Sequence, residues 1–114
     1  MVVTRVLLAG LPPMLSGIVR NVAETDTELT VVAELRQLAG VQTVVRSKRA
    51  GVVVVDGLRA DEVVVLADEL LSIGPNIRLV AIDADGSVAT SVTARGSRRV
   101  VAPSPETLLE LMRG

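Results

Sequence analysis

The 114-residue sequence predicts a single α/β domain, spanning residues 1–114, in which a doubly wound parallel sheet of five strands carries helices on both faces. Three observations predict it. Strand-like and helix-like segments alternate along the whole chain, which implies right-handed crossovers between parallel strands. One segment, Val52-Val53-Val54-Val55, is an unbroken apolar run of the kind found in strands buried on both sides. Apolar residues make up 49% of the chain and none is aromatic, so Val, Leu, Ile, Ala and Met must fill the core, and the branched ones favour strands. No linker long enough to separate two domains interrupts the sequence.

Thr4 to Ala9 reads as the first strand, broken by Gly10-Leu11-Pro12-Pro13 before a helix from about Met14 to Glu24. Proline suits the first turn of that helix, where its missing N–H costs nothing. Glu28 to Glu34 is rich in β-branched residues and reads as a strand. A second helix, from about Gln37 to Arg49, follows on the helical spacing of Leu38, Val41, Val44 and Val45. The valine run is the third strand, ended by Asp56-Gly57. Ala60 to Ile73 is the third helix, with Asp61 and Glu62 near its N-terminus, where the macrodipole favours them, and Gly74-Pro75 closing it. Ile77 to Ile82 is expected as a fourth strand, Ser87 to Ala94 as a short helix and Arg98 to Val101 as a fifth strand. Ser104 to Met112 completes the set as a last helix, opened by a capping hydroxyl and then a proline.

Composition removes whole classes of function. Without His or Cys the chain lacks the usual zinc and copper ligands, thiol nucleophiles and His-based triads, so no catalytic residue, metal or cofactor is assigned. A net charge of −1 offers no global field to a nucleic-acid backbone, and without aromatics there is no base-stacking platform. Direct nucleic-acid binding is therefore not expected. The longest apolar runs fall far short of the roughly 20 residues of a membrane helix. The first residues lack a signal-peptide pattern, so a cytoplasmic protein is expected.

In a sheet of this kind chemistry gathers at the carboxyl ends of the strands. Those ends are Ala9-Gly10-Leu11, Glu34-Leu35, Asp56-Gly57, Asp83-Ala84-Asp85 and Ala102-Pro103. The first of them lacks the glycine spacing of a phosphate-cradling loop, and nucleotide binding there is not expected.

The opening Arg5-Val6-Leu7-Leu8-Ala9, the proline at Pro12, the helix with Ile18-Val19-Arg20, the segment Val31-Val32-Ala33-Glu34 and the strand Val52 to Asp56 resemble, in order and spacing, the receiver domains of LuxR-type response regulators. The resemblance runs over nearly the whole chain and implies the flavodoxin-like (CheY-like) fold, with strand order 2-1-3-4-5. It also implies a site. A receiver presents two acidic residues after its first strand to hold Mg²⁺, a phosphoacceptor aspartate after the third, a Ser or Thr after the fourth, and a Lys before a Pro after the fifth. A carboxylate attacks a phosphoryl group only when cations neutralise the transferred oxygens, so these parts work as a unit.

Carried over position by position, the acidic pair becomes Gly10 and Leu11, the acceptor is kept as Asp56, the hydroxyl position becomes Asp83, and the lysine becomes Ala102 with Pro103 preserved. Arg99 stands at the aromatic switch position of the fifth strand. The chain's single lysine, Lys48, lies on the second helix and cannot replace the missing cation.

Each of these residues has a plainer alternative. Asp56 could be a polar strand end that caps the following loop. Asp83, on the strand beside it, could share a cation with Asp56 and Asp85 or raise their pKa values, or the pair could simply be turn formers. Arg95, Arg98 and Arg99 could meet an acidic partner or phosphate, or guard a sheet edge against aggregation.

The expectation is a degenerate receiver, a pseudo-receiver that signals through protein contacts without a phosphorylation cycle, its partner another protein or an output domain. The DNA-binding domain usual beyond LuxR-type receivers is one such output domain. The resemblance further implies a homodimer paired through the fourth helix, fifth strand and fifth helix, about Ser87 to Met112. Leu108, Leu109, Leu111 and Met112 exceed one inward stripe, so this face is either partly exposed for a partner or sealed within the monomer. Two rivals are an atypical phospho-receiver using Asp56 and a small ligand-binding protein or enzyme of the same architecture.

Overall fold

The structure is a computed structural model and describes residues 3–114. Its elements run β1 (Thr4–Ala9), α1 (Pro13–Glu24), β2 (Leu29–Leu35), α2 (Val41–Lys48), β3 (Val52–Asp56), α3 (Ala60–Ile73), β4 (Arg78–Ile82), β5 (Val88–Thr93), β6 (Gly96–Val101) and α4 (Pro105–Arg113). The six strands form one sheet in the order β2-β1-β3-β4-β5-β6. The pairs β1–β2, β1–β3 and β3–β4 are parallel, and β4–β5 and β5–β6 are antiparallel. Among the described residues no helix is long and apolar enough to cross a membrane.

The α/β class and the parallel succession 2-1-3-4 agree with the sequence reading. The five-stranded, all-parallel sheet of order 2-1-3-4-5 does not. The expected helix at Ser87 to Ala94 is strand β5, and the segment expected to pair with β4 as the fifth strand is the outer strand β6. The physical reason is in the residues. Val88, Thr90 and Val92 alternate with Ala89 and Ser91, a period of two that places three β-branched side chains on one face.

The turns on either side complete the pattern. Between β4 and β5 the Asp83 N–H donates to the Val88 carbonyl (3.0 Å), the Gly86 N–H donates to the Asp83 carbonyl (2.9 Å), and Gly86 takes the positive φ of 74° that this tight return needs. Between β5 and β6, Thr93 pairs directly with Gly96 across Ala94-Arg95. Two hairpins thus stand where a crossover helix was expected.

Two apolar layers sandwich the sheet. On one face Val6, Leu8, Val52, Val54, Val80 and Ile82 pack with Val19 and Val22 of α1 and with Leu108, Leu111 and Met112 of α4. On the other, Leu7, Val53, Val55 and Leu79 pack with Val41 and Val45 of α2 and with Leu66 and Leu70 of α3. The alternation within the valine run divides it between the two layers, the outcome expected for a strand covered on both sides.

Helix α3 begins and ends where the sequence predicts, and the Arg59 N–H donates to the Glu62 carboxylate (3.0 Å) in its first turn. Helix α4 opens with the expected cap: the Thr107 N–H donates to Ser104 Oγ, and the Ser104 N–H donates to Thr107 Oγ1. Helix α2 begins at Val41, later than expected, because Gly40 takes a left-handed conformation just before it.

Candidate functional site

The carboxyl ends of β1, β3, β4 and β6 lie along one edge of the molecule, because two successive reversals return β6 to the direction of β4. Asp56 ends β3 opposite Ile82, and the chain turns away through Gly57, whose N–H donates to the Ile82 carbonyl (3.0 Å) and whose φ is 76°. The Asp56 carboxyl is half-buried. Loss of hydration raises its pKa above the ordinary aspartate value; the neighbouring charge of Asp83 adds to the rise, and the Gly57 N–H opposes it.

Asp83 is engaged in the β4–β5 turn. One carboxylate oxygen accepts from the Val88 N–H (3.1 Å) and the other from Ser87 Oγ (3.0 Å). Asp85, fully exposed, accepts from the Ser87 N–H (2.9 Å), and hydrogen bonding to Ser87 lowers its pKa. The two aspartates thus fold the hairpin loop as Asx-type acceptors.

At the two positions that the sequence resemblance assigns to Mg²⁺, Gly10 closes β1 with its N–H donating to the Leu35 carbonyl (2.9 Å) at a φ of 70°, and Leu11 packs against the apolar layer under α1. Ala102 follows β6 with φ 51°, a left-handed conformation costly for alanine, and its N–H donates to the Ser87 carbonyl (2.7 Å). Since β4 and β5 both lie between β3 and β6, Ala102 and Pro103 follow a strand three spacings from β3, roughly 14 Å. The inserted strand therefore moves Ala102 one spacing farther from Asp56 than the expected order would put it.

Arg95, Arg98 and Arg99 do not form one patch. Arg95 sits in the β5–β6 turn, Arg98 faces α4 and pairs with Glu110 (3.3 Å), and Arg99, next along the strand and opposite Thr90, projects from the other face. Because β6 is an edge strand, these charges sit where a sheet is protected from edge-to-edge pairing.

The sequence reading missed a polar cluster beside this edge. Buried Ser16 on α1 donates through Oγ to Glu34 of β2, which also binds Arg20 (2.8 Å). Hydrogen bonds from Ser16 and then Arg20 hold the Glu34 carboxyl below the ordinary glutamate range. Only the i, i+4 spacing of Ser16 and Arg20 on α1 signals the pairing in advance.

A hollow lies elsewhere, between α3 and the outer strands: a groove of about 710 Å³ floored by Ala81, Val88, Thr90 and Val92 and walled by Val64 and Arg99. No protein-family model, no curated protein and no solved structure matches the chain.

Proposed function

We propose that the chain is a pseudo-receiver, a signalling module that acts through protein contacts and performs no phosphoryl transfer of its own. The observation that carries this reading is the company of Asp56. The residue stands at the end of the third of four parallel strands, where the receiver resemblance puts the phosphoacceptor. At the other positions that the resemblance assigns stand a leucine packed against the apolar layer at Leu11, a second carboxylate at Asp83 committed to a turn, and an alanine at Ala102, on a strand well away from Asp56.

Phosphoryl transfer to a carboxylate requires positive charge around the transferred oxygens. Here the pKa of Asp56 is raised, first by loss of hydration and then by the negative charge of Asp83. The flavodoxin-like comparison is limited in this reading to the β2-β1-β3-β4 portion; the hairpin of β5 and β6 departs from it, and with it goes the expected pairing face of fourth helix, fifth strand and fifth helix.

The test is incubation with Mg²⁺ and a small acyl phosphate, read by intact mass, with a parallel titration of Mg²⁺ and beryllofluoride followed by amide NMR. The expected result is unmodified protein and no saturable shift at Gly10, Asp56 or Asp83. A phosphoryl adduct mapped to Asp56 overturns the proposal in favour of an atypical phospho-receiver.

A further inference from the structure

The two faces of β5 are treated differently. Toward α4, Ala89 and Ser91 are sealed, at 0% and 3% exposure. Toward α3, the alternating residues Val88, Thr90 and Val92 remain half-open, because α3 reaches over β4 only as far as the near side of β5, where Val92 packs against its apolar layer, and leaves β6 uncovered on that side. Val101, directly opposite Val88 and therefore on the same face, is 70% exposed. Val64, on the groove side of α3, is 60% exposed. The surface is thus a ridge, α3, beside an apolar trough over β5 and β6.

The charges of this surface are arranged in a particular way. Asp68 lies on the same stripe of α3 as Val64, one turn further on, and lines the groove from the ridge side. Arg99 lines it from the trough side. Among the described residues neither is in an ion pair, although other arginines on the surface are. One surface therefore carries a ridge and a trough, with a carboxylate on the first and a guanidinium on the second.

We propose that this face is the interface of a symmetric dimer, in which α3 of each copy lies in the β5–β6 trough of the other. A two-fold axis brings every element of an isologous patch against its complement twice. Here it sets Val64 of each copy over Val88, Thr90 and Val101 of the other, and gives Asp68 and Arg99 the partners they lack within one chain. An apolar trough edged by charge has the layout of an interface centre. Such centres are typically apolar with a polar rim. The inference deepens the reading of the chain as an interaction module and identifies its partner as a second copy of itself.

Sedimentation velocity across a wide concentration range, on the wild type and on variants of exposed residues, tests it. The wild type is expected to be a dimer, and Val64→Glu to weaken association at least about tenfold while leaving the far-UV circular dichroism unchanged. Asp68→Arg and Arg99→Asp are each expected to weaken it, and the double exchange to restore it, because the exchanged charges again face each other. A wild type that stays monomeric at high concentration overturns the proposal. So does a dimer indifferent to Val64→Glu, or a double exchange no tighter than the single variants. The result is independent of the phosphodonor experiment: an adduct on Asp56 in a protein that dimerises through this face would refute the pseudo-receiver reading alone.

Discussion

At the end of β3 the Asp56 carboxyl gives up hydration and faces the charge of Asp83, so the folded protein holds a proton there that the unfolded chain has already released. Folding stability therefore falls as pH rises from the ordinary aspartate value of 3.8 through the raised one, and the loss is complete above it. Glu34 acts with the opposite sign. Its lowered pKa contributes stability fully present above the ordinary glutamate value of 4.5 and lost as pH falls through the lowered value.

Asp56→Asn is thus expected to be more stable than the wild type at neutral pH, with the advantage vanishing in acid below the ordinary aspartate value. Glu34→Gln is expected to be less stable at neutral pH, with the deficit closing in acid. Urea unfolding followed by far-UV circular dichroism at several pH values measures both, since the chain has no aromatic fluorophore. An Asp56→Asn advantage that is constant across pH would show that its origin is not the ionisation.

Among the elements, α4 settles an open alternative. Its cap was evident from Ser104-Pro105, but its apolar residues fitted both an exposed partner face and a sealed one. The structure seals them: Leu108, Leu111 and Met112 are buried against α1 and the sheet, and Leu109 packs at the margin. This happens because the β4–β5–β6 run widens the sheet, so that Ala89, Ser91 and Val100 extend the floor on which α4 rests.

Leu111, at 1% exposure, is accordingly a core position. Leu111→Ala is expected to cost about 2–5 kcal/mol, the range for a buried leucine truncated in a closely packed site. Val101→Ala in the monomer is expected to change stability by less than about 0.5 kcal/mol, as surface substitutions generally do. Chemical denaturation at low protein concentration separates the two, and equal costs would mean that α4 does not pack as described.

Across the whole molecule burial grades from the centre of the sheet to its outer edge. Val6, Leu7, Leu8 and Val53 to Val55 lie in strands covered on both sides, β5 is sealed on one side and half-covered on the other, and β6 is mostly exposed with one edge unpaired. Local opening free energies follow such gradients, because opening an outer strand exposes little apolar surface. Amide hydrogen exchange is expected to be slowest in β1 and β3 and fastest in β6, with β5 intermediate. Dimerisation through the α3 groove should slow β5 and β6 selectively. Protection in β6 equal to that in β1, at concentrations where the protein is monomeric, would contradict the gradient.

The first four strands and the three helices between them were legible in the sequence because each is a local pattern: an apolar run bounded by glycine, a helical stripe, or acidic residues in a first turn. The same holds for the positions of Gly10, Leu11, Asp56 and Asp83 at the strand ends, which follow once the strands are placed. The segment from Ser87 to Val101 shows where such reading stops. Its β-branched alternation and its Asp85-Gly86 and Arg95-Gly96 turns signal a hairpin, but the steady succession of strand and helix before it favoured one more crossover.

Which pairing wins depends on contacts between residues distant in sequence. Val88, Thr90 and Val92 can complete a sheet only because β4 presents its free edge to them, and α4 can cover their reverse side only after β6 has returned the chain. Tertiary structure alone therefore decided the order of the outer strands, the distance of Ala102 from Asp56, and the open trough beside α3. Each is set by what packs against the strand, which no local pattern records.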